Sequence, residues 1–223
     1  MSEIPSKLPG IGTTIFTVMS QLAADCGAIN LSQGFPDFPV PTPLLDLVAK
    51  NLRDGRNQYA PMAGVPALRE AIARKTLALY GRTANPDTEI TVTSGATEAL
   101  FCAIQACVGQ GDEVIVFDPA YDAYEPAVML AGGRAIHVPL RPPEFAVDWD
   151  RVRDCLTART RAIVLNSPHN PTGAVLGPAD IDALASLVEN RPIQLISDEV
   201  YEHIIFDGRR HESLLRHPAL ADR

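Results

Sequence analysis

Lysine is scarce in this sequence. Among 223 residues it stands only at Lys7, Lys50 and Lys75, all in the N-terminal third. With 27 Asp and Glu against 19 Lys and Arg the net charge is −8, which leaves no broad basic surface for nucleic acid. Long apolar runs are missing as well. No stretch approaches the ~18 residues that span a bilayer, and residues 1–10, with Glu3, Pro5 and Pro9, hold no apolar secretory core. The four cysteines, Cys26, Cys102, Cys107 and Cys155, include no CxxC pair and no histidine at ligand spacing. That argues against zinc and against a disulfide framework. Free or buried thiols in a reducing cytoplasm are the simpler expectation. What the sequence does contain is apolar material, 46% of its residues, ample for a globular core.

The apolar residues are arranged in two ways. Thr13 and Thr14 can cap a helix whose apolar positions Ile15, Val18, Met19, Leu22 and Ala23 recur at helical spacing. The following segment, Leu31 to Pro41, is too rich in proline for a helix or a central strand. Helices are predicted over Pro43–Arg53 and Val65–Tyr80, the second with Pro66 in its first turn, where a missing N–H costs nothing. From Glu89 onward short β-branched runs alternate with helical segments. Strands are predicted at Ile90–Thr93, Glu113–Phe117, Arg134–Pro139, Ala162–Asn166 and Ile193–Ser197. Helices are predicted at Thr97–Val108, Tyr124–Ala131, Trp149–Leu156 and Ala179–Glu189. Such alternation implies an α/β fold, a mostly parallel sheet with helices on both faces. The runs Val114-Ile115-Val116-Phe117 and Ala162-Ile163-Val164-Leu165 barely alternate, as strands buried on both sides should.

In open sheets of this kind, ligands bind outside the carboxyl ends of the strands. The residues just after each predicted strand are therefore the candidates. Ser94-Gly95-Ala96-Thr97-Glu98 opens a helix, where unpaired N–H groups and the Ser94 and Thr97 hydroxyls could hold a phosphate. The same residues also make an ordinary turn and cap. A dinucleotide reading would place Asp118 on a ribose, but the loop has one glycine where that fingerprint needs three, and the Gly-Lys-Ser/Thr of a P-loop is missing. Asp198 ends an apolar strand, so it is either the N-cap of a segment beginning at Glu199 or a carboxylate facing a cationic ligand group. Tyr121 could stack on a flat ligand, or belong to the core. Asn166-Ser167-Pro168-His169-Asn170-Pro171-Thr172-Gly173 is a turn by composition, a rigid loop compatible with a cis X–Pro bond, and the Asn170 amide could donate to a ligand.

Taken in order, several segments resemble the class I/II pyridoxal-phosphate aminotransferases of fold type I. They are Leu31-Ser32-Gln33-Gly34-Phe35-Pro36-Asp37-Phe38, Asn57-Gln58-Tyr59-Ala60-Pro61 with Gly64, the run from Ser94, Asp118-Pro119-Ala120-Tyr121-Asp122-Ala123-Tyr124-Glu125-Pro126, Ser167 to Gly173, and Ser197-Asp198-Glu199-Val200-Tyr201-Glu202. The likeness runs from Ile11 to the C-terminus and looks closest to the methionine and kynurenine aminotransferase group. It implies the large, cofactor-binding domain of that fold over residues 43–223, preceded by an N-terminal arm and substrate-side segment over residues 1–42. It also implies pyridoxal 5'-phosphate as cofactor. Gly95, Ala96 and Thr97 match the phosphate cradle, and Tyr121 matches the ring stack. Asn170 matches the donor to the phenolic oxygen and to the substrate carboxylate. Asp198 matches the partner of the ring nitrogen, and Tyr201 a second phenolic-oxygen donor. Tyr59 matches a residue reaching the phosphate of a neighbouring subunit, hence a homodimer. Gly34 matches a backbone contact to the substrate carboxylate. The segments Phe35 to Phe38 and Tyr59-Ala60-Pro61-Met62 are expected to line the substrate pocket.

Amino-acid and 2-oxo-acid substrates follow from the resemblance, with a methionine-type or aromatic donor. The family's cofactor-bonding lysine and its carboxylate-clamping arginine lie further along the chain than Arg223, and none of the three lysines matches their context. The expectation is therefore a C-terminally truncated chain without the catalytic base and without the small C-terminal domain. Its sheet should be incomplete, its solubility poor and its cofactor binding weak. Two other readings stand beside transamination. One is carbon–sulfur β-elimination, recognised by pyruvate release from cystathionine. The other is a phosphate-ligand or interaction module without catalysis, which an in-frame Ser-x-x-Lys continuation in the DNA would exclude.

Overall fold

A computed structural model describes residues 4–34 and 36–223. Its helices are α1 (Ile15–Asp25), α2 (Thr42–Arg53), α3 (Pro66–Tyr80), α4 (Gly95–Cys107), α5 (Tyr124–Leu130), α6 (Trp149–Cys155), α7 (Pro178–Val188) and α8 (Pro218–Ala221). The strands are β1 (Glu113–Asp118), β2 (Arg134–Pro139), β3 (Thr160–Asn166) and β4 (Gln194–Asp198). These elements match the sequence-based expectations to within a residue or two at most ends, the usual fraying of boundaries. Thr14 caps α1 as expected, its hydroxyl accepting from Thr17 N–H at 3.3 Å.

The four strands pair in parallel in the order β2-β1-β3-β4. Ile115, Phe117, Ile163 and Leu165 point to one face and pack with α6 and α7 through Val152, Ile181, Leu184 and Val188. Val114, Val116, Ala162 and Val164 point to the other and meet Leu100 and Ile104 of α4 and Ala127 and Val128 of α5. Both faces being covered, the two central strands have no polar side to show, which explains their unbroken apolar text. Each fully buried Val, Leu or Ile contributes roughly 1.5–3 kcal/mol by leaving water.

One predicted strand does not form. Residues 90–93 lie outside the sheet, and Val92 N–H donates instead to Ala63 C=O at 3.0 Å. A β-branched run becomes a strand only beside a ladder partner, and this one pairs with neither edge strand, β2 or β4. Gly64 makes the alternative contact possible. Its φ is +97°, and a Cβ there would stand 2.6 Å from the Val92 side chain. Among the described residues β4 is the last strand at this side of the sheet, and its Leu195 N–H donates to the Arg223 carbonyl at 3.0 Å.

At the amino ends of the strands, Glu113 is 1% exposed and fully engaged. Its carboxylate accepts from Arg134 and Arg159 at 2.7 Å each and from the Thr157 hydroxyl at 2.6 Å. The Thr157 hydrogen bond, then the two arginines, pull its pKa down to about 2 from 4.5. A depressed carboxylate pKa contributes stability that is present above the unfolded value and lost as pH falls through the folded one. Glu113→Gln is therefore expected to cost about 2 kcal/mol near neutral pH, less than a wholly buried pair because both arginines can return to water. Acid titrations followed by far-UV circular dichroism should show the gap between variant and parent closing between pH 4.5 and 2. A constant gap across that range refutes the assignment.

Candidate active site

The register brings the strand ends level. Asn166 pairs with Asp198 across β3 and β4, and β1 ends nearby at Asp118. The chain passes from β1 to β2 on one side and returns to β3 on the other, so the sheet has its topological switch point between β1 and β3. Crevices form at such points because the connections leave in opposite directions. A cavity of about 220 Å³ opens there, lined by Ala96, Thr97 and Leu100 of α4, Tyr121 and Tyr124, Asn166 and Asn170, and Asp198, Val200 and Tyr201.

Asp198 is nearly buried, at 9% exposure. Oδ2 accepts from the Tyr124 hydroxyl at 2.7 Å, and Oδ1 from Val200 N–H at 3.2 Å. The segment after it forms turns rather than a helix, so Asp198 caps a turn and starts no helix. Among the described residues no arginine, lysine or histidine pairs with this carboxylate. A carboxylate so placed is costly unless a cation or further donors join it. The same cavity is lined by the first turns of α4, begun by Gly95 at φ +82°, where the first N–H groups have no helical partner. The Thr97 hydroxyl there lies 3.4 Å from that of Tyr121. The cavity thus offers one group that suits a cation and another that suits an anion.

Asn170 is held by its loop. Its N–H donates to Asn166 Oδ1 at 2.7 Å, while Asn166 Nδ2 donates to the Asp198 carbonyl at 3.0 Å. His169 Nδ1 lies 2.8 Å from the Thr172 hydroxyl, and burial lowers the His169 pKa, so the ring acts as a neutral brace. The Ser167–Pro168 and Asn170–Pro171 bonds are both cis. Asp118 does not reach the cavity. It is engaged by His137 Nδ1 at 2.9 Å, which removes the ribose reading for that carboxylate.

Six candidates from the sequence therefore meet around one space: Ala96, Thr97, Tyr121, Asn170, Asp198 and Tyr201. Gly95 shapes the turn behind them. Gly34 and Tyr59 are exposed and do not line this cavity; the expectation for Tyr59 concerns the cavity of a neighbouring subunit. Phe35 lies outside the described residues. The sequence reading gave no role to Tyr124 or Asn166. Tyr124 opens α5, and the turn before it folds Tyr121 back so that the two rings meet edge-on, 5.7 Å apart.

The class I and II aminotransferase family model matches residues 27–222. The chain belongs to this family. It is 55% identical over 218 residues to the methionine aminotransferase of Escherichia coli K12, covering 98% of this chain and 56% of that one. To human kynurenine–oxoglutarate transaminase 1 it is 35% identical over 230 residues, covering 97% and 54%. Solved aminotransferases share the fold. The E. coli methionine aminotransferase superposes with a TM-score of 0.93 at 54% identity, over 98% of this chain and 57% of that one. The Mycobacterium tuberculosis N-succinyldiaminopimelate aminotransferase does so with 0.93 at 43% identity, over 98% and 58%. The chain thus spans a little over half the length of the aminotransferases it matches. Its α/β architecture is the one expected for the family, and the shared region includes every element around the cavity.

Proposed function

We propose that this chain supplies the cofactor-binding part of a pyridoxal-phosphate-dependent aminotransferase acting on a methionine-type or aromatic amino acid and a 2-oxo acid. The observation that carries the reading is the nearly buried, cation-free Asp198 carboxylate facing the same cavity as the α4 N-terminus. The cofactor is complementary to both: a ring N–H at one end and a phosphate dianion at the other. When bound, it supplies an electron sink that lets the Cα–H bond of an amino acid ionise.

The residues of this chain bind and orient. Asp198 Oδ1, with only one long hydrogen bond, keeps acceptor capacity for the ring N–H and so favours its protonated form. The Ala96 and Thr97 N–H groups and the Thr97 hydroxyl serve the phosphate. Tyr121 covers a ring face, while Asn170 and Tyr201 donate to the phenolic oxygen. A preorganised set of this kind fixes the reacting bond before chemistry begins. Among the described residues no lysine lines the cavity. Lys50 pairs with Asp54 and Lys75 with Glu202, so the base that moves the proton is not one of them.

Residues 1–42 act as an arm on the large domain formed by 43–223. A homodimer fits the surface. Neither α1 nor α2 buries a residue, although Leu44, Leu45, Val48 and Leu52 are apolar, and Tyr59 and Met62 are fully exposed. The donor class rests on the likeness to methionine and kynurenine aminotransferases. Titration of the protein with pyridoxal phosphate, read by visible circular dichroism, tests the central point. Saturable binding that Thr97→Val weakens about tenfold is the expected result. Absence of any saturable signal overturns the proposal.

A further inference from the structure

Tyr124 is the most deeply buried side chain around the cavity with a hydroxyl, 3% exposed, and it belongs to no assigned role. Its ring packs edge-on against Tyr121, with centroids 5.7 Å apart. The hydroxyl donates to Asp198 Oδ2 at 2.7 Å, across 74 residues of sequence and from a different wall of the cavity. Burial, then this hydrogen bond, hold the phenol far above the ordinary tyrosine pKa, so it remains a donor at any working pH.

The two carboxylate oxygens are thereby made unequal. Oδ2 has a short, charge-assisted bond to a side chain fixed in the core by α5, whereas Oδ1 has only the 3.2 Å bond from Val200 N–H. Rotation about the carboxylate would break the stronger contact and leave the buried hydroxyl without a partner. We propose that Tyr124 is a positioning residue that locks the Asp198 carboxylate with Oδ1 presented to the cofactor ring nitrogen. The role rests on the cofactor reading of the cavity. It acts through Asp198 and touches no reacting atom.

A general packing role and this one differ in what they discriminate. If Tyr124 works through the ring nitrogen, it matters for pyridoxal phosphate and not for the analogue with carbon in place of that nitrogen. The experiment measures equilibrium binding of both compounds to the protein and to Tyr124→Phe, which keeps the ring and its packing. The parent is expected to prefer pyridoxal phosphate, and Tyr124→Phe to lower that preference about tenfold, the weight of one charge-assisted bond. Tyr124→His, which retains an N–H donor, should restore part of it. Should the phenylalanine variant fail to fold, Tyr124→Met fills similar space without a donor and reads the same ratio. A preference unchanged in the donor-less variant, or equal weakening of both compounds, overturns the role while leaving the cofactor reading intact. A parent protein that binds neither compound overturns both.

Discussion

Asp198→Ala is expected to lower transamination by a complete enzyme that contains this chain about a thousandfold, with the substrate KM changed far less. The loss has two sources. Asp198 would hold the ring nitrogen of a bound cofactor protonated, and without its carboxylate the electron sink that the cofactor would supply is weaker. The substitution also strips the Tyr124 hydroxyl of its 2.7 Å partner and leaves a buried donor unpaired, so cofactor affinity should fall with the rate. Single-turnover kinetics at saturating cofactor separate the two effects. Near-normal turnover in that measurement would remove Asp198 from the mechanism and dissolve the proposed function with it.

The second large effect concerns the 223 residues by themselves. Incubated with pyridoxal phosphate, methionine and a 2-oxo acid, they should show no turnover above that of the free cofactor. The reason is positional. Lys75 lies on α3 and is tied to Glu202, Lys50 lies on α2 and is tied to Asp54, and Lys7 precedes α1, whereas the cavity is lined by α4, α5 and the ends of β3 and β4. A proton cannot be carried by an amine that does not reach the site. Amino-acid analysis of the mixture decides it. Turnover at an enzymatic rate, on the order of 1 s⁻¹ or more, would require an amine, and among the described residues none lines this cavity. The same preparation should aggregate readily, visible as light scattering, since α1 and α2 present apolar side chains to water.

Much of the cavity could be read from the sequence because its parts are local. Gly95 before a helix, Asp198 after an apolar strand and Asn170 in a proline-framed loop each announce themselves through backbone preference or burial. Tyr124 does not. As the first residue of α5, seen alone, it is one more aromatic on a helix, and nothing nearby in the chain says that its hydroxyl ends on a carboxylate 74 residues away. Residues 90–93 show the opposite error. Their composition predicts a strand, but a strand is made by a partner, and the contact available was the loop at Gly64. Glu113, polar at the head of an apolar run, also looked ordinary until the fold brought Arg134, Arg159 and Thr157 to it.

By itself the sequence determined the helix and strand alternation, the doubly covered sheet and which residues end the strands, because these follow from side-chain periodicity and from the short-range limits on φ and ψ. Only the tertiary structure decided that those ends converge, that Asp198 faces a cavity with Tyr124 behind it, and that Gly34 and Tyr59 stand apart. Strand order and register are properties of pairing between distant segments, and no local preference encodes them.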